Sequence, residues 1–206
     1  MKNLHTYIQE AFRVNQDYKP DKYLCQPKNK SELKRILNER LNEDENADLN
    51  DIDVSEITDM LGLFMHLDPH NIDISSWNMS KVENTNRMFY GCENLNCNLS
   101  KWDISKVTDM SHMFFMCKHF NCDLNKWDVS KVTDMSYTFG LCEVFNCDLS
   151  NWNVENVTTM KKMFTGCKKF TGKGLENWKL TNCTNLIGVF DSCRRIKNKD
   201  ILKLHK

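Results

Sequence analysis

Residues 124–147 read LNKWDVSKVTDMSYTFGLCEVFNC, and the same phrase recurs on either side of them. Its tryptophan belongs to a series, Trp77, Trp102, Trp127, Trp152 and Trp178, spaced by 25, 25, 25 and 26 residues. A fixed period of roughly 20–50 residues marks stacked units, none of which buries its apolar face alone. The period predicts an α/β repeat solenoid. Such arrays present extended surfaces, and their usual work is binding other macromolecules.

Aligned on Trp, the repeat is W-(D/N)-(V/I)-S-K-V-T-D-M-S-x-M-F-x-x-C-x-x-F-N-C-D-L-x-K. In Val107, Met110, Met113, Phe114 and Cys117 the apolar residues fall three or four apart, the spacing of one helical face. Thr108 or Asp109 stands where a cap would accept the first free amide hydrogens. A short helix is predicted in each repeat. The stretch from Cys122 to Val129 carries Trp127 and no Gly or Pro, and predicts short strands stacking in parallel. Asn96, Asn121 and Asn146, with Asp123 and Asp148, are placed to bond the turn backbone.

The chain divides into residues 1–11, a separate N-terminal peptide; 12–47, a linker and N-terminal capping helix; 48–193, about six 25-residue repeats; and 194–206, a basic C-terminal cap. Ile52 holds the Trp phase of a degenerate first repeat, and the last repeat, around Thr171–Gly174, is one residue longer. Leu33, Ile36, Leu37 and Leu41 form one helical face, with Ser31 as the expected N-cap. Ile196, Ile201, Leu202 and Leu204 give the tail a second helical face for closing the other end.

The 28 basic and 28 acidic side chains cancel, which argues against nucleic acid as the partner. No apolar run approaches the length of a membrane span, and MKNLHTYIQEAF has no secretory apolar segment. The protein is therefore expected in a cytoplasm, off the membrane. Eight of the ten cysteines sit at repeat phases: Cys92, Cys117, Cys142, Cys167 and Cys193 in one column, Cys97, Cys122 and Cys147 in another. A spacing of about 4.8 Å between repeats lies within reach of a disulfide. Without an export signal, a reduced core ladder is the expectation.

No metal or cofactor is expected. Cys117, His119 and Cys122 resemble a zinc set when taken alone, but Asn94, Val144 and Lys169 replace His119 in the other repeats. Phosphate-loop, serine-elbow and metalloprotease patterns are missing. The glycine pair in Thr171-Gly-Lys-Gly174 has no strand and helix of the right kind around it. Cys117 can be paired with His112 or His119 as a nucleophile, yet repeat phase already accounts for the cysteine. The chain is expected to be non-enzymatic.

Deviations from the repeat point to a binding surface. Met116 and Leu141 replace the glycines found at Gly91 and Gly166, Tyr90 and Phe115 lie one position earlier, Tyr137 occupies the phase of Arg87, His112 and Lys162, and Val144 replaces a polar residue. If these phases face outward, Tyr90, Phe115, Met116, Tyr137, Leu141 and Val144 make one apolar, partner-binding patch. The alternative is that they pack beneath a cap or loop. A competing surface is the basic series Lys81, Lys101, Lys106, Lys126 and Lys131, interleaved with Asp103 and Asp128.

The phrase W-D-(V/I)-S-K-V-T-D-M-S with its following M-F-x-x-C resembles the BspA-like leucine-rich repeat family, over about residues 48–193. That resemblance implies a right-handed leucine-rich-repeat-type solenoid with protein-binding roles and no catalysis. Secreted members carry an export signal or lipid anchor that is not found here. Residues Met1–Ala11 resemble the capsid-targeting peptide of internal head proteins in T-even-like phages. This implies processing after the Ile8-Gln9-Glu10 triplet, leaving Ala11 at the new terminus. Together the resemblances imply a phage-encoded, cytoplasmic inhibitor that occludes or traps a bacterial host defence complex. An adhesion or scaffold module and a virion component are the alternatives.

Overall fold

The computed structural model describes residues 25–196. The N-terminal peptide, with Ile8, Glu10 and Ala11, and the tail beyond Ile196 lie outside the described residues. Helix α1 (Lys30–Glu43) comes first. Its cap is Asn29 rather than Ser31: Asn29 Oδ1 accepts the Glu32 amide at 3.0 Å, and Ser31 already sits in the first turn. Leu33 and Leu37 are fully buried. Ion pairs from Lys30 to Asp59 and from Arg40 to Asp51 fasten the helix to the segment 51–59.

After α1 the chain is laid down in 25-residue coils, each hydrogen-bonded to the next. The amides of Met110, His112, Phe114 and Met116 donate to the carbonyls of Asp134, Ser136, Thr138 and Gly140 at 2.8–3.0 Å. The intervening amides of Met113, Phe115 and Cys117 turn back within the coil, onto Met110, His112 and Phe114, at 3.0–3.1 Å. Backbone donors along this edge are thus satisfied alternately between coils and within them, as burial demands.

The structure corrects the α/β solenoid expected from the sequence. Among the described residues, regular structure amounts to α1 and one 3-10 turn, Leu175–Asn177. Parallel pairing is confined to single-residue bridges such as Asn84 to Asp109 and Asp109 to Asp134, and no sheet forms. The helix predicted from Val107 fails because two columns are left-handed. One holds Arg87, His112, Tyr137 and Lys162 (φ 54, 57, 57 and 52°); the other holds Gly91, Met116, Leu141 and Gly166 (φ 74, 66, 62 and 72°). Two such residues within five positions interrupt any run of right-handed α backbone. The strand predicted over Cys122–Val129 fails because Asp123 and Asp128 each accept an amide two residues on, from Asn125 and Ser130, at 3.0 Å. Those bonds fold the segment into Asx turns.

Backbone bonds such as those from Thr133 to Thr108 and from His119 to Glu93 join the coils elsewhere, and side chains add more. The indole N–H groups of Trp77, Trp102, Trp127 and Trp152 donate to the carbonyls of Leu49, Ile74, Leu99 and Leu124, each at 2.9 Å. The thiols of Cys92, Cys117, Cys142, Cys167 and Cys193 donate to the carbonyls of Phe64, Phe89, Phe114, Phe139 and Phe164 at 2.9–3.3 Å. Trp102 stacks on both Trp77 and Trp127 at 6.4 Å with its plane nearly parallel to theirs. Phe114 stacks on Phe139 at 5.7 Å. The Trp and Cys columns thus serve both the core and the bonding between coils, while the Phe column adds stacking.

All ten cysteines are free thiols. Burial pushes Cys92 and Cys147 up to about 12, and Cys97, Cys117 and Cys167 well above the ordinary value of 9.0. In the unfolded chain the same thiols ionise near that ordinary value. Between roughly pH 9 and 12 the folded state therefore holds more protons, so stability falls as pH rises, by about 1.4 kcal/mol per pH unit for each such thiol. Urea unfolding midpoints are expected to be level up to about pH 8 and to drop steeply above pH 9. A level profile to about pH 10.5 would contradict the buried thiol column.

Candidate protein-interaction surface

The edge of each coil between the Asp109 and Cys117 columns carries the two left-handed positions and the residues beside them. Left-handed backbone turns these side chains away from the core and onto the surface. The coil-to-coil bonds from Gly62 to Asn86, His112 to Ser136 and Lys162 to Ile187 put Leu61, Asn86, Ser111, Ser136, Lys161 and Ile187 in one column. Three large apolar side chains are exposed among the described residues: Leu61, Leu141 and Ile187, at 42, 38 and 66%. All three lie on this face.

Its centre is aromatic. Tyr90 stacks on Phe115 at 5.2 Å, Phe115 meets Tyr137 edge-on at 5.6 Å, and His112 lies parallel to Tyr137 at 4.7 Å. Tyr90, Phe115, Met116 and Tyr137 are half-buried. Two glycines make the arrangement fit. A Cβ at Gly140 would lie 2.8 Å from the Phe115 ring, and one at Gly166 would lie 2.6 Å from Leu141 Cδ2. Each bulky side chain thus lies over a glycine in the following coil. The structure brings Tyr90, Phe115, Met116, Tyr137 and Leu141 onto one face. Val144 follows buried Cys142 by two residues, in the column of Asn94, His119 and Lys169, and is half-buried.

This surface is poorly optimised for stability. Tyr137, Met116 and Leu141 carry bulky side chains on left-handed backbone, at about 1 kcal/mol each. Gly91 and Gly166 occupy the same column as Met116 and Leu141 without that cost. His112 Nδ1 is buried with no hydrogen-bond partner. Burial first, and then the charge of Arg87, lower the His112 pKa, so the ring is neutral at physiological pH. Strain and an orphaned polar atom gathered at one surface mark a place where another demand outweighs stability.

Cations frame the aromatic centre. Arg87 precedes it and Lys162 follows it in the same column, and Lys162 Nζ lies 5.9 Å from the Tyr137 ring centroid. Lys161 is exposed beside Lys162. Asp109 and Asp134 are occupied as turn acceptors for the Ser111 and Ser136 amides, at 2.8 and 2.7 Å. Other faces compensate themselves across coils, as in Lys81–Glu56, Lys118–Glu93 and Lys168–Glu143 at 2.6–2.7 Å. Lys101, Lys106, Lys126 and Lys131 are exposed near the Trp column with Asp103 and Asp128 between them.

Sequence reasoning missed Leu61, Ile187 and the flanking cations as parts of this face. The available signal was Gly140, a lone glycine in the column of Tyr90 and Phe115, whose purpose appears once Phe115 is laid over it. The Cys117 thiol is buried and donates to the Phe89 carbonyl at 3.0 Å, while His119 faces solvent. Among the described residues no group of three or more His, Cys, Asp or Glu side chains is placed to hold a metal ion. No helix among them is long and apolar enough to cross a membrane.

Comparison with known proteins places the sequence beside one family, described as "Mycoplasma protein of unknown function, DUF285". That family matches residues 6–125 and again residues 93–203. Two staggered, overlapping matches are what a repeated sequence produces. No curated protein and no solved structure matches.

Proposed function

The chain belongs to the DUF285 family of Mycoplasma proteins of unknown function, and on that footing we propose that it is a non-enzymatic module that recognises another protein. The observation that carries this reading is the aromatic set Tyr90, Phe115 and Tyr137 on the same face as exposed Leu141, with Tyr137 and Leu141 held on left-handed backbone. Aromatic anchors with an aliphatic neighbour are the usual source of binding energy in protein interfaces. The mechanism is steric: a stiff stack of coils covers a partner's working surface or holds an assembly in one state.

The finer form of the proposal is a phage-encoded inhibitor of a bacterial host defence protein, acting in the cytoplasm of the infected cell. Its support is the likeness of Met1–Ala11 to a capsid-targeting peptide, together with a thiol column that works as S–H donors and so suits a reducing compartment. Phe115→Asp with Leu141→Asp is expected to keep the far-ultraviolet spectrum and abolish capture of the partner from host lysate. Leu141→Gly, which suits φ 62°, is expected to weaken capture without lowering the melting temperature. Unfolding of the double variant, with unchanged capture by Leu141→Gly, would show these residues to be packing rather than contact.

A further inference from the structure

We propose that the partner presents an extended, acidic segment: one apolar side chain seated on the Phe115–Leu141 cluster, with a carboxylate on each side of it. The inference rests on the protein-binding reading above and adds the chemistry of what is bound. Arg87, His112, Tyr137 and Lys162 are four successive members of one column, so the aromatic centre lies between two cations along the stack. The Arg87 guanidinium donates to Asn86 Oδ1 at 2.9 Å, and among the described residues neither it, Lys161 nor Lys162 has an ion pair. Asp109 and Asp134, in a neighbouring column, keep their charge, but each carboxylate is drawn in toward its own turn by the Ser111 and Ser136 amides. Asp191 approaches the Lys162 stem through Gly188 without pairing with its ammonium group. The face therefore offers positive charge at both ends of an apolar centre.

The spacing fixes a pattern. Three coil steps of about 4.8 Å separate Arg87 from Lys162, about 14 Å in all, and an extended chain rises about 3.3 Å per residue. Carboxylates matching both cations are then about four residues apart, on the same side of the strand as the residue midway between them. The recognised pattern is acidic–x–apolar–x–acidic. A single-stranded nucleic acid would also meet cations and rings. Here, however, Phe115 is covered by Tyr90 and lies over Gly140, while Leu141, Leu61 and Ile187 add aliphatic surface that bases do not stack on. The observations favour the peptide.

A random-peptide library displayed on particles and panned against the full chain tests this directly. Enriched peptides are expected to carry the acidic–x–apolar–x–acidic pattern. Arg87→Asp with Lys162→Asp reverses both charges with a residue that tolerates left-handed backbone. It is expected to weaken those peptides about tenfold or more and to favour basic flanks when panning is repeated. Enrichment that survives the reversal, or enriched peptides with neutral or basic flanks, would overturn the proposal. So would peptides matching residues 1–24 of this chain, or preferential binding of a labelled oligouridylate. If binding is lost in Leu141→Gly but the flanks prove uncharged, the acidic partner falls and the protein-binding reading stands. If no enriched peptide depends on Leu141 or Phe115, both fall.

Discussion

Trp127→Ala is expected to remove most of the protein's stability and to break its unfolding into two steps. The side chain is 2% exposed, stacks on Trp102 at 6.4 Å, meets Phe114 at a tilt at 6.2 Å, and donates to the Leu99 carbonyl at 2.9 Å. Truncating a buried Trp costs about 3–5 kcal/mol, and a domain of this size holds only about 5–15 kcal/mol in all. Each coil is bonded to its neighbours alone, so the loss is not shared over the whole chain. It opens a gap in mid-stack, and the parts on either side then unfold at different urea concentrations. Trp127→Phe separates the two contributions. It keeps a ring and deletes the N–H, leaving the Leu99 carbonyl with the Trp102 amide as its one donor, a loss of about 1 kcal/mol. Urea titration followed by the remaining tryptophans measures both variants. Equal losses for Ala and Phe would place the whole effect in the hydrogen bond and none in the packing.

The same tryptophan shows what was legible in the sequence. The 25-residue return of Trp, Val, Met, Phe and Cys announced columns of buried side chains, and Trp127, Val132, Met135, Phe139 and Cys142 are indeed buried. Backbone conformation was not legible, and the α/β assignment failed on it. A spacing of three and four serves a chain of i to i+3 turns as well as it serves a helix, because both return side chains to the same side. What separates them is the sign of φ. Glycine reports that sign at Gly91 and Gly166 in one column and at the end coils, Gly62 and Gly188, in the other, while His112, Met116, Tyr137 and Leu141 take the same backbone and conceal it. The second half of the repeat misled for a related reason. Asp123 and Asp128 look like ordinary surface residues of a strand until their side chains are seen closing turns.

The candidate face was legible to a similar degree. Departures from the repeat identified Tyr90, Phe115, Met116, Tyr137 and Leu141, since a position free of core duty shows its purpose by varying. Leu61 and Ile187 escaped because they lie in the frayed terminal repeats, where a departure from pattern carries no signal. Val144 was drawn in because it replaces a polar residue, and it is half-buried in the column of Asn94, His119 and Lys169.

Gly174→Ala is expected to destabilise the protein by about 3 kcal/mol, more than any other exchange of glycine for alanine along the stack. Gly174 has φ 93°, and a Cβ there would lie 2.2 Å from Ser150 N and 2.6 Å from the Leu149 carbonyl carbon. Those atoms are backbone of the preceding coil and have nowhere to move, so the strain of the dihedral and the clash add. The close approach exists because the last repeat is one residue longer. Gly174 starts the Leu175–Asn177 turn that takes up the extra residue. The turn brings Trp178 into register, with its N–H 3.1 Å from the Leu149 carbonyl. Gly166→Ala is the control, because φ 72° is shared but the obstacle is only the mobile end of Leu141, and that column already tolerates Met116 and Leu141. Its cost is expected to stay near 1 kcal/mol. Hydrogen exchange should locate the Gly174→Ala damage at the Trp178 indole and the final coil, leaving the Trp102 and Trp127 indoles protected. A variant as stable as the wild type would mean that the chain does not pass so close at this point.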